Sequence, residues 1–144
     1  MIMTREADYA VRCVLEVARQ GHLSVTQVAA QEEISPAFLS KIVRSLARAG
    51  VLSTRRGVGG GMTLARPPEQ ITMLEVIEAA GGPLHLGECL LDPPTCLRAP
   101  ACPIHPHLCE AEQKLREELS VSIADLVTER AALDQVAVVA FAGP

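Results

Sequence analysis

The sequence predicts one compact, mostly α-helical protein, and three observations favour this fold class. The length of 144 residues suits a single domain with room for an appended arm. Hydrophobic residues make up 49% of the chain and charged residues 21%, a composition that folds rather than stays disordered. Apolar residues also recur at helical spacing through most of the chain.

Two helices are predicted before residue 32. The first spans 4–20 and ends at Gly21, a residue type common just after a helix. Its apolar residues follow the helical period: Ala10, Cys13, Val14 and Val17. Ser24, with Gln27 three residues later, forms the capping-box pattern and predicts a second, short helix.

A third helix is predicted to begin at Ser35-Pro36, an N-cap followed by proline, and to end near Ala49. One face is apolar and is expected to be buried: Leu39, Ile42, Val43 and Leu46. The opposite face carries small, polar and basic residues: Ala37, Ser40, Lys41, Arg44 and Arg48. Two short helices joined by a tight turn, with such a face on the second, predict a helix-turn-helix.

Two short strands are predicted next, over 51–56 and 62–65, joined by a glycine-rich turn. Arg55 and Arg56 precede the turn. Because arginine is favoured in a narrow minor groove and glycine lets the backbone approach a sugar–phosphate edge, this hairpin is predicted to be a DNA-contacting wing. A dinucleotide-binding loop is excluded, since Met62 stands where its third glycine is required and no helix follows directly. A plain flexible turn is the remaining alternative.

Thr72 and Glu75 form another capping-box pattern, which predicts a helix to about Ala80 and completes a winged helix-turn-helix domain over 1–82. A proline-rich, cysteine-containing loop is predicted over 83–106, and a loop of this length usually has a ligand. Helices over 107–132 are predicted to mediate dimerisation, with packing on their own domain as the alternative. A tail occupies 133–144.

The long dimerisation helix is predicted to begin at His107. Its apolar stripe consists of Leu108, Ala111, Leu115 and Leu119, and its exposed acidic face of Glu110, Glu112, Glu117 and Glu118. A short helix follows it and contains Ile123, Leu126 and Val127.

Composition and charge narrow the function classes. Aromatic residues are only 2% of the chain, too few for a platform that stacks single-stranded bases. The longest apolar run, 136–142, is far shorter than the roughly 20 residues of a membrane span, and the first residues lack a signal-peptide pattern, so a cytoplasmic protein without membrane contact is expected. Residues 1–66 carry nine basic and five acidic residues, a net +4, whereas the remainder carries four and twelve, a net −8. This asymmetry favours a polyanion-binding first half.

Four of the five cysteines lie close together in sequence, with a histidine among them: Cys89, Cys96, Cys102, His105 and Cys109. In a reducing compartment such a group favours metal binding or redox chemistry over structural disulfides. No two of these cysteines are spaced as in a zinc knuckle, whereas wide gaps in a proline-rich loop suit an iron–sulphur cluster. Structural zinc and a thiol-disulfide switch remain as alternatives.

Four motifs together resemble one bacterial family of winged-helix regulators, the family that includes IscR, NsrR and RirA. They are 8–12 (DYAVR), 34–39 (ISPAFL), 56–61 (RGVGGG) and the cysteine group, and the similarity covers about 1–130. The resemblance implies a homodimeric transcription factor that binds double-stranded operator DNA. It also implies an iron–sulphur cluster that controls operator affinity in response to redox state, nitric oxide or iron supply.

The resemblance assigns the cluster ligands to Cys89, Cys96 and Cys102, although their gaps of six and five residues depart slightly from the family spacing. His105 matches the fourth ligand of members with a 2Fe–2S cluster, and Asp8 matches the fourth ligand of members with a 4Fe–4S cluster. Both stay open as the fourth ligand, and Cys109 has no counterpart in the ligand pattern.

Six residues are expected to contact DNA. Those of the third helix should enter the major groove and those of the wing the adjacent minor groove: Ser40, Lys41, Arg44, Arg56, Gly59 and Gly60. An iron–sulphur electron carrier or cluster-assembly protein is the further alternative, but it leaves these basic residues unexplained. No enzyme and no small-molecule substrate are expected, because the sequence shows no paired carboxylates in a plausible pocket and no nucleophile beside a base.

Overall fold

The computed structural model describes residues 3–141 and confirms the mostly helical winged fold. Its eight regular elements are α1 (Arg5–Gln20), α2 (Val25–Gln31), α3 (Pro36–Arg48), β1 (Leu52–Arg55), β2 (Gly61–Leu64), α4 (Met73–Gly81), α5 (His105–Leu119) and α6 (Ile123–Phe141). Short 3₁₀ turns occur at Pro68–Gln70, Glu88–Leu90 and Ala99–Ala101. We call the segment between α4 and α5, residues 82–104, the cysteine loop.

Side chains cap the first three helices, and those at Ser24 and Ser35 are the caps that the sequence predicts, whereas Thr4 was predicted to lie inside the first helix. The Thr4 hydroxyl accepts a hydrogen bond from the backbone N–H of Ala7, and Ser24 with Gln27 forms both bonds of a capping box. Ser35 caps α3 by accepting from the N–H of Phe38, with Pro36 directly after it. Gly21 ends α1 with a φ of 83°, in the left-handed region that favours glycine.

The core lies between α1, α3 and α4. The predicted stripe of α3 (Leu39, Ile42, Val43 and Leu46) is buried, as are Ala10, Cys13, Val14 and Val17 of α1. Ile71 before α4 and Ile123 at the start of α6 close the same core. The recognition face of α3 therefore points away from a rigid, closely packed interior.

The wing is an antiparallel hairpin in which Leu52 pairs with Leu64 and Arg55 pairs with Gly61. It is joined to the helix-turn-helix by an isolated bridge, since Leu23 and Met62 exchange both backbone hydrogen bonds, at 3.2 and 2.7 Å. A Cβ at Gly61 would lie 2.6 Å from the carbonyl oxygen of Leu23, so this close approach requires glycine. The wing is thus fixed beside the start of α2.

Several predictions about the second half of the chain need correction. The helix that was predicted to mediate dimerisation begins at His105 rather than His107, so His105 and Pro106 are helical and do not belong to the loop. The helix predicted to be short, α6, instead runs to Phe141, which places its end nine residues into the predicted tail of 133–144. Residues 142–144 of that tail lie outside the described residues.

Two further details of the second half differ from expectation. Glu112 is not part of an exposed acidic face, because its side chain is only 13% exposed and binds the cysteine loop. At α4 the Thr72 hydroxyl caps the helix, but the Glu75 carboxylate pairs with Arg66 instead of closing the capping box. In the described part of the chain, no helix combines the length and apolarity that crossing a membrane requires.

Candidate DNA interface and cysteine loop

An open groove runs between α3 and the wing, and we call it the α3–wing groove. The start of α2 closes one end of it through Ser24, Val25 and Thr26. Its α3 wall is formed by small, polar and basic side chains: Ala37, Ser40, Val43, Arg44, Ala47 and Arg48. Its wing wall consists of Thr54, Arg55, Arg56, Gly57, Gly60, Gly61 and Met62. The groove joins the recognition helix α3 to the wing.

Four arginines line this groove and give it a positive charge: Arg44, Arg48, Arg55 and Arg56. Among the residues that the structure describes, none of these four guanidinium groups lies within 4.0 Å of a carboxylate. Arg12, Arg66 and Arg116, on other surfaces, each pair with a glutamate or aspartate. Guanidinium groups without acidic partners on one concave surface suit an anionic ligand such as a phosphate backbone.

The wing tip has a backbone that only glycine fits. Gly57 and Gly59 have φ values of 91° and 71°, and the N–H of Gly60 donates to the carbonyl oxygen of Gly57 at 2.9 Å. A Cβ at Gly60 would collide with the carbonyl oxygen of Arg55 and lie 2.7 Å from that of Gly57. This tight turn leaves the fully exposed Val58 at the tip and holds both arginines at its base.

The structure brings four of the six residues proposed for DNA contact into the α3–wing groove: Ser40, Arg44, Arg56 and Gly60. Lys41 lies on the other flank of α3, with its ammonium 3.8 Å from Glu6, and Gly59 is exposed at the wing tip. Ser24 and Thr26 line the groove, although the sequence indicated only a capping role for Ser24. Their position in the sequence could have indicated this role, because they lie at the start of the first helix of the helix-turn-helix, and that helix crosses the DNA backbone.

The cysteine loop contains Cys89, Cys96 and Cys102, and all three thiols are free and partly buried. Cys89 lies in the 3₁₀ turn Glu88–Leu90, and Cys102 follows the turn Ala99–Ala101. Turns close the backbone at each side: Ala99 donates to the carbonyl oxygen of Cys96, and His105 donates to that of Cys102. Within residues 3–141 as described, no three His, Cys, Asp or Glu side chains converge in a metal-binding arrangement.

His105 lies in the first turn of α5, and its two ring nitrogens have different surroundings. Nε2 lies 3.6 Å from the Sγ of the exposed Cys109, one helical turn later. Nδ1 is buried and has no hydrogen-bond partner among the described atoms. A buried nitrogen without a partner is costly, and a metal ion would satisfy it.

Asp8, the other potential fourth ligand, lies in α1, and Arg12 pairs with its carboxylate at 3.1 Å. Arg12 also pairs with Glu32 at 3.3 Å, so Asp8 belongs to a surface ion-pair network in this chain. The donor set nevertheless fits an iron–sulphur cluster chemically, since three thiols and a buried imidazole nitrogen without a partner are ligands that such clusters accept.

Cys13 is separate from this chemistry, as the sequence predicts. It is fully buried in the core. Burial, and to a smaller degree the charge of Glu32, raises the pKa of the Cys13 thiol to about 12. The thiol is therefore neutral and unreactive near neutral pH.

A recognition helix, a positively charged groove and a wing define a winged-helix DNA-binding protein. Residues 3–129 match the family model of Rrf2, described as an iron-dependent transcriptional regulator. The chain belongs to this family of transcription regulators.

Two relatives illustrate the range of similarity. The chain is 33% identical over 138 residues to the transcriptional regulator NsrR of Geobacillus kaustophilus. The alignment covers 92% of this chain and 94% of the relative. It is 36% identical over 91 residues to protein aau3 of Rhizobium meliloti, covering 62% of this chain but only 59% of that protein.

Two solved structures share the fold. CymR of B. subtilis, described as its global cysteine regulator, superposes with a TM-score of 0.72 and 23% identity over 90% of this chain and 98% of that chain. IscR of T. potens gives a TM-score of 0.71 at 20% identity, over 90% of this chain and 88% of that chain. At this level of identity the two structures establish the fold alone.

Proposed function

We propose that this chain is a homodimeric transcription regulator that binds operator DNA in the α3–wing groove. An iron–sulphur cluster on the cysteine loop adjusts its affinity for the DNA. The observation that carries the DNA-binding part is the set of four groove arginines without carboxylate partners in the described structure. The part that concerns the cluster is supported by the thiols of the cysteine loop and by the relationship to NsrR.

For DNA, the proposal assigns Ser40 and Arg44 to base edges and phosphates of the major groove, because they lie on the outward face of α3. Arg56, Gly59 and Gly60 reach the adjacent minor groove, where the narrow tip brings backbone close to the sugars. Lys41, on the other flank of α3, is assigned to a phosphate on the opposite wall of the major groove, a contact for which it exchanges its long ion pair with Glu6.

For the cluster, Cys89, Cys96 and Cys102 would supply three thiolates, and His105 would supply the fourth ligand through Nδ1. Asp8 is the alternative fourth ligand, and it would have to leave Arg12 to serve. A bound cluster supplies iron and sulphide that oxidants and nitric oxide attack. The chain itself supplies the three thiols from a loop that lacks long regular structure. Loss of the cluster would release these thiols and change the backbone path of residues 82–104.

The homodimer is proposed to form through α5 and α6. No side chain of α5 is buried in the single chain, yet Leu108, Leu115 and Leu119 form a half-buried apolar stripe. A second copy would cover this stripe, and twofold proteins suit twofold operators. Sedimentation equilibrium of the purified protein tests this point, with twice the chain mass of 15.3 kDa as the expected result.

The cofactor is tested by purification without oxygen, followed by visible absorption and by iron and sulphide counts. A coloured protein with equal amounts of iron and sulphide supports the proposal, and a colourless protein with stoichiometric zinc contradicts it. Substitution of Cys96 by serine should abolish the colour, whereas substitution of Cys13 by alanine should leave it unchanged because that thiol is in the core.

A thiol-disulfide switch is the second candidate function. It is favoured by the four reduced cysteines outside the core and by the absence of a converged metal group within the described residues. In this case two thiols would form a disulfide by exchange with a small-molecule disulfide, and DNA binding would change on oxidation of iron-free protein.

A further inference from the structure

The helix α5 is attached to the rest of the chain without burying any of its side chains. Leu119 packs against the core as a partly buried side chain, and partly buried polar contacts add to the attachment of α5. Arg116 donates through Nη1 and Nη2 to Oε1 of Glu78 on α4, at 2.7 and 2.9 Å. The carboxylate of Glu112 makes the other polar contacts, with residues at the beginning of the cysteine loop.

Two carboxylates hold the same short stretch of backbone, residues 84–86. Oε1 of Glu78 accepts from the N–H of Leu84 at 3.0 Å, and Oε2 of Glu112 accepts from the N–H of Leu86 at 2.8 Å. Oε1 of Glu112 lies 3.3 Å from Nδ1 of His85 between them. This stretch is thus clamped by one residue of α4 and one of α5, and we call it the loop clamp.

The loop clamp leads directly to the first cysteine. Gly87 follows Leu86, and a Cβ there would make ordinary van der Waals contact with Cδ1 of Leu108 at 3.4 Å and Sγ of Cys89 at 3.5 Å. The N–H of Leu90 donates to the carbonyl oxygen of Gly87 at 3.0 Å, so the turn that contains Cys89 is connected to the loop clamp.

The other end of α4 is tied to the recognition helix. Glu75, one turn before Glu78, pairs with Arg66. Arg66 also donates to the carbonyl oxygens of Gly50 and Gln70, each at 3.1 Å, and Gly50 lies two residues after Arg48, the last residue of α3. One short helix thus contacts the loop clamp directly through Glu78 and is linked to the segment after α3 through Glu75 and Arg66.

We propose that Glu78 and Glu112 are positioning residues that transmit the state of the cysteine loop to the α3–wing groove, through the loop clamp and α4. The inference rests on the proposed function, because it needs a cysteine loop whose state matters to DNA binding. It adds the route and the residues, none of which is a cluster ligand or a DNA contact.

The test compares Glu112→Ala with a matched control, Glu110→Ala. Both remove a glutamate from α5, but Glu110 is 65% exposed, and among the described residues its carboxylate pairs only with Lys114. For each protein the DNA dissociation constant is measured with iron–sulphide-reconstituted and with iron-free protein. Hydrogen exchange at the amides of Leu84 and Leu86 is measured in the iron-free protein. Glu112→Gln, which keeps an acceptor for the Leu86 amide, serves as the conservative variant that should restore function, and Glu112→Ser, which is too short to reach the Leu86 amide, replaces the alanine variant if that protein does not fold.

We expect Glu112→Ala to shrink the ratio of the two dissociation constants by about 2-fold to 30-fold relative to wild type, with faster exchange at Leu86. Glu110→Ala should keep the wild-type ratio, and Glu112→Gln should keep most of it. An unchanged ratio in Glu112→Ala, or an unchanged exchange rate at Leu86, overturns the inference while leaving the proposed function intact. A wild-type ratio of one refutes the proposed function itself, and the transmission route falls with it.

Discussion

Replacing Arg44 by glutamine should weaken DNA binding by an amount that the groove geometry sets. Four groove arginines per chain give eight in the proposed dimer. If each of these arginines and each of the two Lys41 side chains meets one phosphate, there are ten contacts, and the logarithm of the binding constant falls with the logarithm of salt concentration with a slope of about −9. Between 50 and 200 mM salt the affinity of the wild-type protein then falls about 10⁵-fold.

Arg44→Gln removes two of these ten contacts, so the slope should decrease in magnitude to about −7. Two lost contacts correspond to about 60-fold weaker binding at 0.1 M salt, with a much smaller loss near 1 M. Fluorescence anisotropy with a labelled promoter duplex over a salt series measures both quantities. Glutamine keeps most of the side-chain length, so the effect reports the charge.

Arg19→Gln is the matched control, because Arg19 lies outside the groove and pairs with Glu16 at 2.8 Å. Its salt slope should equal that of the wild-type protein. Equal slopes for wild type, Arg44→Gln and Arg19→Gln would refute the assignment of DNA to the α3–wing groove.

Three further outcomes are expected. Gly60→Ala should weaken DNA binding by about tenfold or more with little change in melting temperature. The reason is that the new Cβ meets the carbonyl oxygen of Gly57 at 2.7 Å and distorts only the wing tip. Fluorescence anisotropy measures the binding and calorimetry the melting temperature. Leu39→Ala should lower the free energy of unfolding by about 2–5 kcal/mol, since Leu39 is fully buried at the centre of α3, and urea titration measures it. Between pH 9 and 12 the folded protein retains the proton of Cys13, whose pKa is raised to about 12, while the unfolded chain releases it, so stability should fall with rising pH by about 1.4 kcal/mol per unit. Urea unfolding at pH 8 and pH 10 should show this loss in wild type and not in Cys13→Ala.

The winged helix-turn-helix was largely predictable from sequence, because its signals are local. Ser24 and Ser35 are each followed by their capping partners, and the apolar stripe of α3 follows the helical period without interruption. Such patterns depend on neighbours within four residues, and the structure places them where the sequence indicates.

The second half was less predictable, because its structure depends on contacts distant in sequence. Glu112 belongs to an acidic face by its position on α5, yet the N–H of Leu86, 26 residues away, makes it a partner of the cysteine loop. The length of α6 was also missed, since an unbroken apolar run such as 136–142 has no amphipathic period from which to read a helix. For the groove, no local pattern indicates that Ser24 and Arg48 meet the wing.

The most direct test of the account measures the affinity of anaerobically purified protein for its promoter DNA before and after removal of iron with a chelator. The account predicts that the two dissociation constants differ by about fivefold to 150-fold, the usual range for coupling between two sites. The difference should disappear in Cys96→Ser. Equal dissociation constants for the iron-containing and iron-free wild-type protein would contradict the claim that the cysteine loop controls the affinity for DNA.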